Sequence, residues 1–253
     1  MKFSEPFIEG TLIKRYKRFL ADIKLADGNI ITAHTPNTGA MTGCSTPGAR
    51  VWVRDTENPN RKYPYSWEMV EAGPDILVGV HTGLSNRLVE EAITNGVIKE
   101  LQGYNIIRAE VPYGDENSRI DLLLEKCGSA DQGVTNHRST DYQNERCYIE
   151  VKNVTLVENN IAYFPDTVSI RGTRHLRELM KMANQGHRAV IFYCVQRSDA
   201  IEFRPAKKID PEYTETLCKA VHAGVEALAY RADVATTEIK LQQSLPIIIQ
   251  PSG

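Results

Sequence analysis

The chain has 253 residues, 42% of them hydrophobic and 25% charged, with a formal net charge of −2. A length of this order buries roughly 70–75% of the unfolded surface, enough for one large domain or two smaller ones, and the composition excludes a disordered or fibrous class. No apolar run approaches the ~20 residues of a membrane span. The N-terminal Met1-Lys-Phe-Ser-Glu-Pro6 has no signal-peptide core, which points to the cytoplasm. Five scattered cysteines, none in a C-x-x-C pair, argue against a disulfide framework or a zinc site.

From Phe7 to about Val80 short alternating runs are punctuated by turn residues, the pattern of a small all-β unit. Thr11–Leu20 interleaves apolar and basic residues. Ala21–Leu25 and Ile30–Ala33 flank Asp27-Gly28, a hairpin signal. Thr35-Pro-Asn-Thr-Gly39 and Thr46-Pro-Gly48 are turns, Arg50–Arg54 alternates, and Lys62–Val70 supplies the last strand. About five strands in this length predict a small OB-like barrel, a fold that commonly binds oligonucleotides. Lys14, Arg15, Lys17 and Arg18, with Tyr16 and Phe19, form a basic-aromatic cluster able to follow a phosphate backbone. An exposed strand face with its aromatics turned inward is the plainer reading.

The character of the chain changes near residue 83, which divides it into a β domain over 1–82 and an α/β domain over 83–253. Ser85 is expected to cap a helix carrying Leu88, Val89, Ala92 and Ile93, ended by Gly96, with a short helical extension through Ile98 and Leu101. Asn105–Val111, closed by Pro112, and Ser118–Leu124 read as a hairpin across Gly114-Asp-Glu-Asn117. Glu125 to Arg146 is a polar loop. Cys147–Asn153 runs on through Val157, turns at Glu158-Asn-Asn160 and returns through Ile161–Phe164 to Pro165. Thr173 opens a helix ended by Gly186, and Arg188–Val195 is a buried central strand with Ala200–Phe203 beside it. Pro211 begins a helix with Leu217, Ala220 and Val221 inward; Val225–Val234 and Glu238–Leu241 are the last strands. This order predicts a mixed sheet with helices on its faces.

Asp121, Glu150 and Lys152 fall inside strands that otherwise read as buried. Glu150 and Lys152, two apart, share a strand face, so adjacency to the Asp121 strand would bring two carboxylates and a lysine together. Two carboxylates suit a hard divalent ion, and a neighbouring ammonium can hold a water beside it, the requirements of phosphodiester hydrolysis. On chemistry alone the pattern D…E-x-K is also met by solvated residues on an open strand face.

The arrangement resembles the PD-(D/E)XK nuclease superfamily. More closely, Lys14-Arg-Tyr-Lys-Arg-Phe19, Pro36-Asn-Thr-Gly39, Ser118-Arg-Ile-Asp121, Glu150-Val-Lys152, Phe164-Pro-Asp166, Arg171-Gly172 and His175-Leu-Arg-Glu-Leu179 are similar to the sugar fermentation stimulation protein (SfsA) family. The resemblance implies an OB-like barrel followed by a mixed α/β, restriction-endonuclease-like domain. It also implies a Mg2+- or Mn2+-dependent nuclease whose metal is held by Asp121 and Glu150 and whose water is assisted by Lys152. A further carboxylate comes from the first helix in that superfamily; periodicity does not choose between Glu90 and Glu91, and Glu91 is assigned. Expected partners are nucleic acid, DNA first, and a second copy of the chain, with no membrane.

Arg171 and the cationic helix face of Arg174, Arg177 and Lys181 are expected at phosphates, with a solvated face as the alternative. Asp166 reads as a helix-entry turn ahead of a further active-site carboxylate, and His175, as a lone histidine, as structural. The position before Arg171 is Ile170, where the family pattern favours an acidic residue. Two other functions compete with the nuclease: a non-catalytic DNA-binding regulator of sugar-metabolism genes, and a metal-dependent hydrolase of a small phosphorylated molecule.

Overall fold

A computed structural model describes residues 1–114, 118–126 and 145–249. The polar loop expected between Glu125 and Arg146 lies, from 127 to 144, outside the described residues, as do 115–117 of the Gly114–Asn117 turn.

The N-terminal unit comprises β1 (Ile8–Tyr16), β2 (Leu20–Leu25), β3 (Ile30–His34), β4 (Arg50–Asp55), β5 (Tyr65–Gly73) and β6 (Ile76–Gly79). Its order is β3-β2-β1-β4-β5-β6, and a parallel pairing of β3 with β5 closes five strands into an OB barrel. Alternation sends Leu12, Ile23, Val51, Val53, Trp67 and Val70 inward. The β2–β3 hairpin turns at Asp27-Gly28, where Gly28 is left-handed (φ 90°) and Asp27 Oδ1 accepts from Asn29 N. Strand β6 was not anticipated; at four residues it is too short to show alternation.

The second unit contains α1 (Ser85–Thr94), β7 (Ile106–Tyr113), β8 (Ser118–Lys126), β9 (Glu145–Val154), β10 (Leu156–Glu158), β11 (Ile161–Phe164), α2 (Ile170–Asn184), β12 (Arg188–Val195), β13 (Glu202–Pro205), α3 (Pro211–His222), β14 (Glu226–Val234) and β15 (Ile239–Ser244). Its main sheet is ordered β15-β14-β12-β9-β8-β7, with β9, β12 and β14 parallel. Helix α1 covers one face, where Leu88, Val89 and Ile93 share a core with Ile149 of β9, Phe192 of β12 and Ile239 of β15. Helices α2 and α3 cover the other, where Leu176, Leu179 and Leu217 meet Ile191 and Tyr193.

Several expectations are corrected. Ser85 is the first helical residue, not the cap: its Oγ donates to Asn153 Oδ1 (3.1 Å), leaving the helix start to a 3-10 turn at Thr82–Leu84. Pro112 lies within β7, tolerated because β7 is the sheet edge. The hairpin β10–β11, turning through left-handed Asn159 and Asn160, leaves the main sheet and pairs with β13 in a separate three-stranded sheet, so β13 does not lie beside β12. Helix α2 starts at Ile170, three residues early, because Ser169 Oγ accepts from Gly172 N. Val221 on α3 faces outward, 39% exposed. Among the described residues no helix is long and apolar enough to cross a membrane.

The entries of α2 and α3 share one buried carboxylate. Asp210 caps α3 by accepting from Tyr213 N (2.9 Å) through Oδ1, and accepts from Ser169 N (2.8 Å) through Oδ2. Asp210→Ala removes a cap and leaves buried donors unpaired, an expected cost of about 2–3 kcal/mol. Urea unfolding should show a lower midpoint at unchanged slope. Asp210→Asn, which keeps one acceptor, should cost less.

Candidate active site

The site forms where two paired strands part. The β8–β9 ladder runs from Lys126↔Glu145 to Leu122↔Ile149 and stops there. The next amide, Val151 N, donates to the side chain of Asp121 (Oδ2, 2.7 Å). A carboxylate thus satisfies a donor that the ladder would otherwise pair. Opposite Asp121, Glu110 on β7 is left-handed (φ 55°), so the edge strand is irregular at the same level. Asn86, in the first turn of α1, donates to Asp121 Oδ1 (3.0 Å) and fixes the carboxylate from the other side.

Glu150 and Lys152 point to the α2 side of β9, while Ile149 and Val151 fill the α1 side. Glu150 Oε1 accepts from Lys152 Nζ at 2.6 Å and pairs with His175 Nδ1 of α2. Arg171 Nε approaches His175 Nε2 at 3.2 Å. A guanidinium can only donate, so Nε2 is the acceptor and Nδ1 carries the proton it gives to Glu150. His175, 4% exposed at its side chain, therefore orients Glu150. Lys152 Nζ lies 3.1 Å from the same Nδ1, two donors converging on one oxygen.

The two carboxylates respond oppositely to this environment. Burial and the nearby Glu150 charge push Asp121 up to about 6. Burial also works to raise Glu150, but Lys152 and His175 together hold it below the ordinary glutamate range. Its second oxygen, Oε2, is buried with no hydrogen-bond partner. The Tyr113 hydroxyl is likewise buried and unpaired, its pKa driven up by burial and by the Glu150 and Glu178 charges.

This donor set fits a hard divalent cation: two carboxylates on parting strands, one oxygen bare, and a like-charge pair that a cation would relieve. Among the described residues no group of three or more His, Cys, Asp and Glu is arranged to hold a metal. Asp121 and Glu150 are the carboxylates beside Lys152 that would hold one, and Asp166, which lines the same cleft, is engaged by the Met41 amide.

Asp121, Glu150 and Lys152 line a cleft of about 480 Å³ between the two domains. Arg171 and Arg18 also line it, one from each domain. Glu91 does not: its Oε2 lies 2.9 Å from the N-terminal ammonium, and Glu90 and Glu91 border a separate hollow with Met1. The α1 residue at the site is Asn86, one turn earlier, which a search for acidic ligands passes over. Arg15 is taken up internally; its guanidinium donates to the carbonyls of Arg18, Asn37, Gly39 and Ala40. Lys14 is exposed beside Asp22 (3.6 Å) and over the Tyr16 ring, and Lys17 and Arg18 form the exposed β1–β2 turn.

On α2, Arg177 pairs with Glu212 of α3 (2.9 Å) and Lys181 with buried Glu178 (2.7 Å), while Arg174 is exposed. Asp166 is an interdomain contact, accepting from Met41 N at 2.9 Å. His175, read as structural, is in the charged cluster; its four-residue spacing from Arg171 on one helix face was the available signal.

Two family models match the chain: the SfsA N-terminal OB domain over residues 13–80 and the sugar fermentation stimulation protein RE domain over 83–238. A sugar fermentation stimulation protein homolog of Shewanella baltica (strain OS185) is 52% identical over 96% of this chain and 98% of its own. One from Geobacter metallireducens is 53% identical over 98% and 100%. The structure of Pyrococcus furiosus SfsA in complex with Ca2+ matches with a TM-score of 0.83 and 29% identity over 98% of each chain. On sequence and on fold, over both domains, the chain belongs to the sugar fermentation stimulation protein (SfsA) family.

Proposed function

We propose that this protein is a divalent-metal-dependent nuclease acting on nucleic acid, DNA first, in the cleft between its domains. The observation that carries the reading is the convergence of Asp121, Glu150 and Lys152 at one parting of strands, with a buried Glu150 oxygen left bare. The calcium-bound Pyrococcus relative supports a hard cation as the ligand.

Asp121 and Glu150 would hold the cation, which when it is Mg2+ or Mn2+ supplies a polarised phosphoryl oxygen and a more acidic water. Asn86 and the Val151 amide keep Asp121 aimed. His175 holds Glu150 through Oε1 and leaves Oε2 without a hydrogen-bond partner. Lys152, paired with Glu150, would donate to a water or a phosphate oxygen. Arg171 and Arg18 neutralise phosphates from opposite walls.

One observation favours a second reading, the non-catalytic DNA-binding regulator: Glu150 Oε1 is already engaged by Lys152 and His175. That protein would bind DNA equally with chelator present and after Glu150→Ala.

Under the nuclease reading, labelled DNA is cut with Mg2+ or Mn2+ and spared in chelator. Asp121→Ala and Glu150→Ala abolish cutting, and Lys152→Ala slows it about 10²–10⁴-fold. Cutting that survives Asp121→Ala belongs to a contaminant and sinks the reading. By calorimetry, His175→Ala should weaken Mn2+ binding about 10–100-fold, the usual effect of removing a group that orients a ligand.

Metal affinity should also depend on pH in a stated direction. Below about 6 Asp121 is protonated and must lose its proton to bind a cation. Mn2+ affinity therefore falls as pH drops from 7 to 5, by up to about tenfold per unit. A flat affinity across that range would contradict Asp121 as a ligand.

A further inference from the structure

The cleft has a roof, and the roof belongs to the other domain. Residues Pro36 to Gly39 of the barrel line the same cleft as Asp121 and Glu150. Three braces hold them there. Arg15 donates to the carbonyls of Asn37, Gly39 and Ala40 from within the barrel. Thr82 Oγ1 donates to the Pro36 carbonyl (3.2 Å) from the interdomain connection. Asp166, from the α/β domain, accepts from Met41 N, and a Cβ on Gly39 would sit 2.6 Å from both Asp166 oxygens. The loop is thus seated on the α/β domain with no space for even a methyl group between them.

Behind the loop the domains are joined again. Gly79 N donates to the Gln196 carbonyl (2.9 Å), and Val78 and Arg197 form an antiparallel bridge. Opening the cleft means breaking both sets of contacts.

The floor is deep. Glu150 is 3% exposed at its side chain and Lys152 12%. A volume of about 480 Å³ falls in the range of sites for drug-sized ligands, about 300–1,000 Å³, the scale of a nucleotide or two. A duplex presents each phosphate on a rigid body whose major groove alone is about 12 Å wide. To bring that phosphate to Glu150 it would have to displace the braced loop. A single strand has no such body, and its backbone can pass between Arg18 on one wall and Arg171 on the other.

The mouth suits unpaired bases. Val168, which lines the cleft, is 64% exposed, and Ile170, next to Arg171, is 82% exposed. Phe19, next to Arg18, is 41% exposed and lies against His34. Of these, Val168 lines the cleft with Arg18 and Arg171, while Ile170 and Phe19 adjoin the two arginines in sequence; exposed apolar and aromatic side chains near arginines are a combination that binds single strands without reading sequence.

We infer that the substrate of this cleft is single-stranded nucleic acid, or the single-stranded part of a larger one, entering beneath the Pro36–Gly39 loop with its bases against the apolar rim. For the reaction this rests on the nuclease reading; for binding it stands apart from it.

The test uses one labelled sequence in three forms: a single strand, a blunt hairpin duplex, and that hairpin with a single-stranded tail. Fluorescence anisotropy in chelator should show the single strand and the tailed hairpin binding about tenfold or more tighter than the blunt one. With Mg2+ or Mn2+, cuts should fall in the single strand and the tail. Arg15→Lys and Asp166→Asn, each of which loosens the roof, should narrow the difference by admitting the duplex.

Blunt duplex bound as tightly as single strand overturns the inference, whatever is cut. So does a preference unchanged in both variants, and so does failure to bind any oligonucleotide, the result expected if the ligand is a small phosphorylated molecule. If the single strand is preferred but nothing is cut, the nuclease reading fails and this one stands.

Discussion

The site depends on a single substitution of partners: at Asp121 a side chain takes the hydrogen bond that the β8–β9 ladder gives up. Leaving Val151 N–H unpaired at this depth would cost about 1–3 kcal/mol. Satisfying it with the Asp121 carboxylate lets the strands separate at no such cost and places that carboxylate at the opening. Strand β9 stays paired to β12 on its other side as far as Val154↔Val195, so Glu150 and Lys152 are held rigidly while the gap opens beside them. The gap lies toward the carboxyl ends of the parallel strands β9 and β12, where open α/β sheets place their ligands.

The barrel completes this site from outside the sheet. Its Pro36–Gly39 loop needs Asp166 and Thr82 to stay in place, and its own Arg15 to keep its shape. Neither domain alone encloses the cleft. The interface therefore serves the site, and the network joining Ser85, Asn153 and Gln196 couples the start of α1 to β9 directly beneath it. Asn86, one residue on, inherits its position toward Asp121 from that network.

Much of this was legible in the residues, for identifiable reasons. Alternation and Asp27-Gly28 specify the barrel strands locally, and Asp210-Pro211 specifies the start of α3, because those signals act over a few residues. The triad was legible because charges inside apolar strands require an explanation. Three features were not. Ser85 carries the chemistry of a cap but is drawn into a contact with Asn153, which lies 68 positions away in sequence. Arg15 sits among exposed cations and differs only by the backbone carbonyls within its reach, those of Asn37, Gly39 and Ala40 and that of Arg18. Glu91 was favoured as the acidic group of the right helix, yet the N-terminal ammonium draws it to another side, and the helix meets the site through a neutral amide. In each case a long-range partner, invisible to periodicity, decides.

Stability alone gives no reason for this cluster. A buried carboxylate with a lysine and a histidine on one oxygen is commonly matched or exceeded in stability by apolar side chains of the same volume. The uneven treatment of Glu150 is more informative. Oε1 receives two donors and Oε2, though buried, none. The fold thus favours the ionised carboxylate through one oxygen and leaves the other without a hydrogen-bond partner. Asp121 differs: burial and the Glu150 charge raise it to about 6 against the opposing pull of Lys152, the Val151 amide and Asn86. Below about pH 6 a divalent cation arriving between them would find one ligand already charged and would itself supply the field that ionises the second. On the proposed reading, metal binding in that range and the loss of the Asp121 proton would be one event.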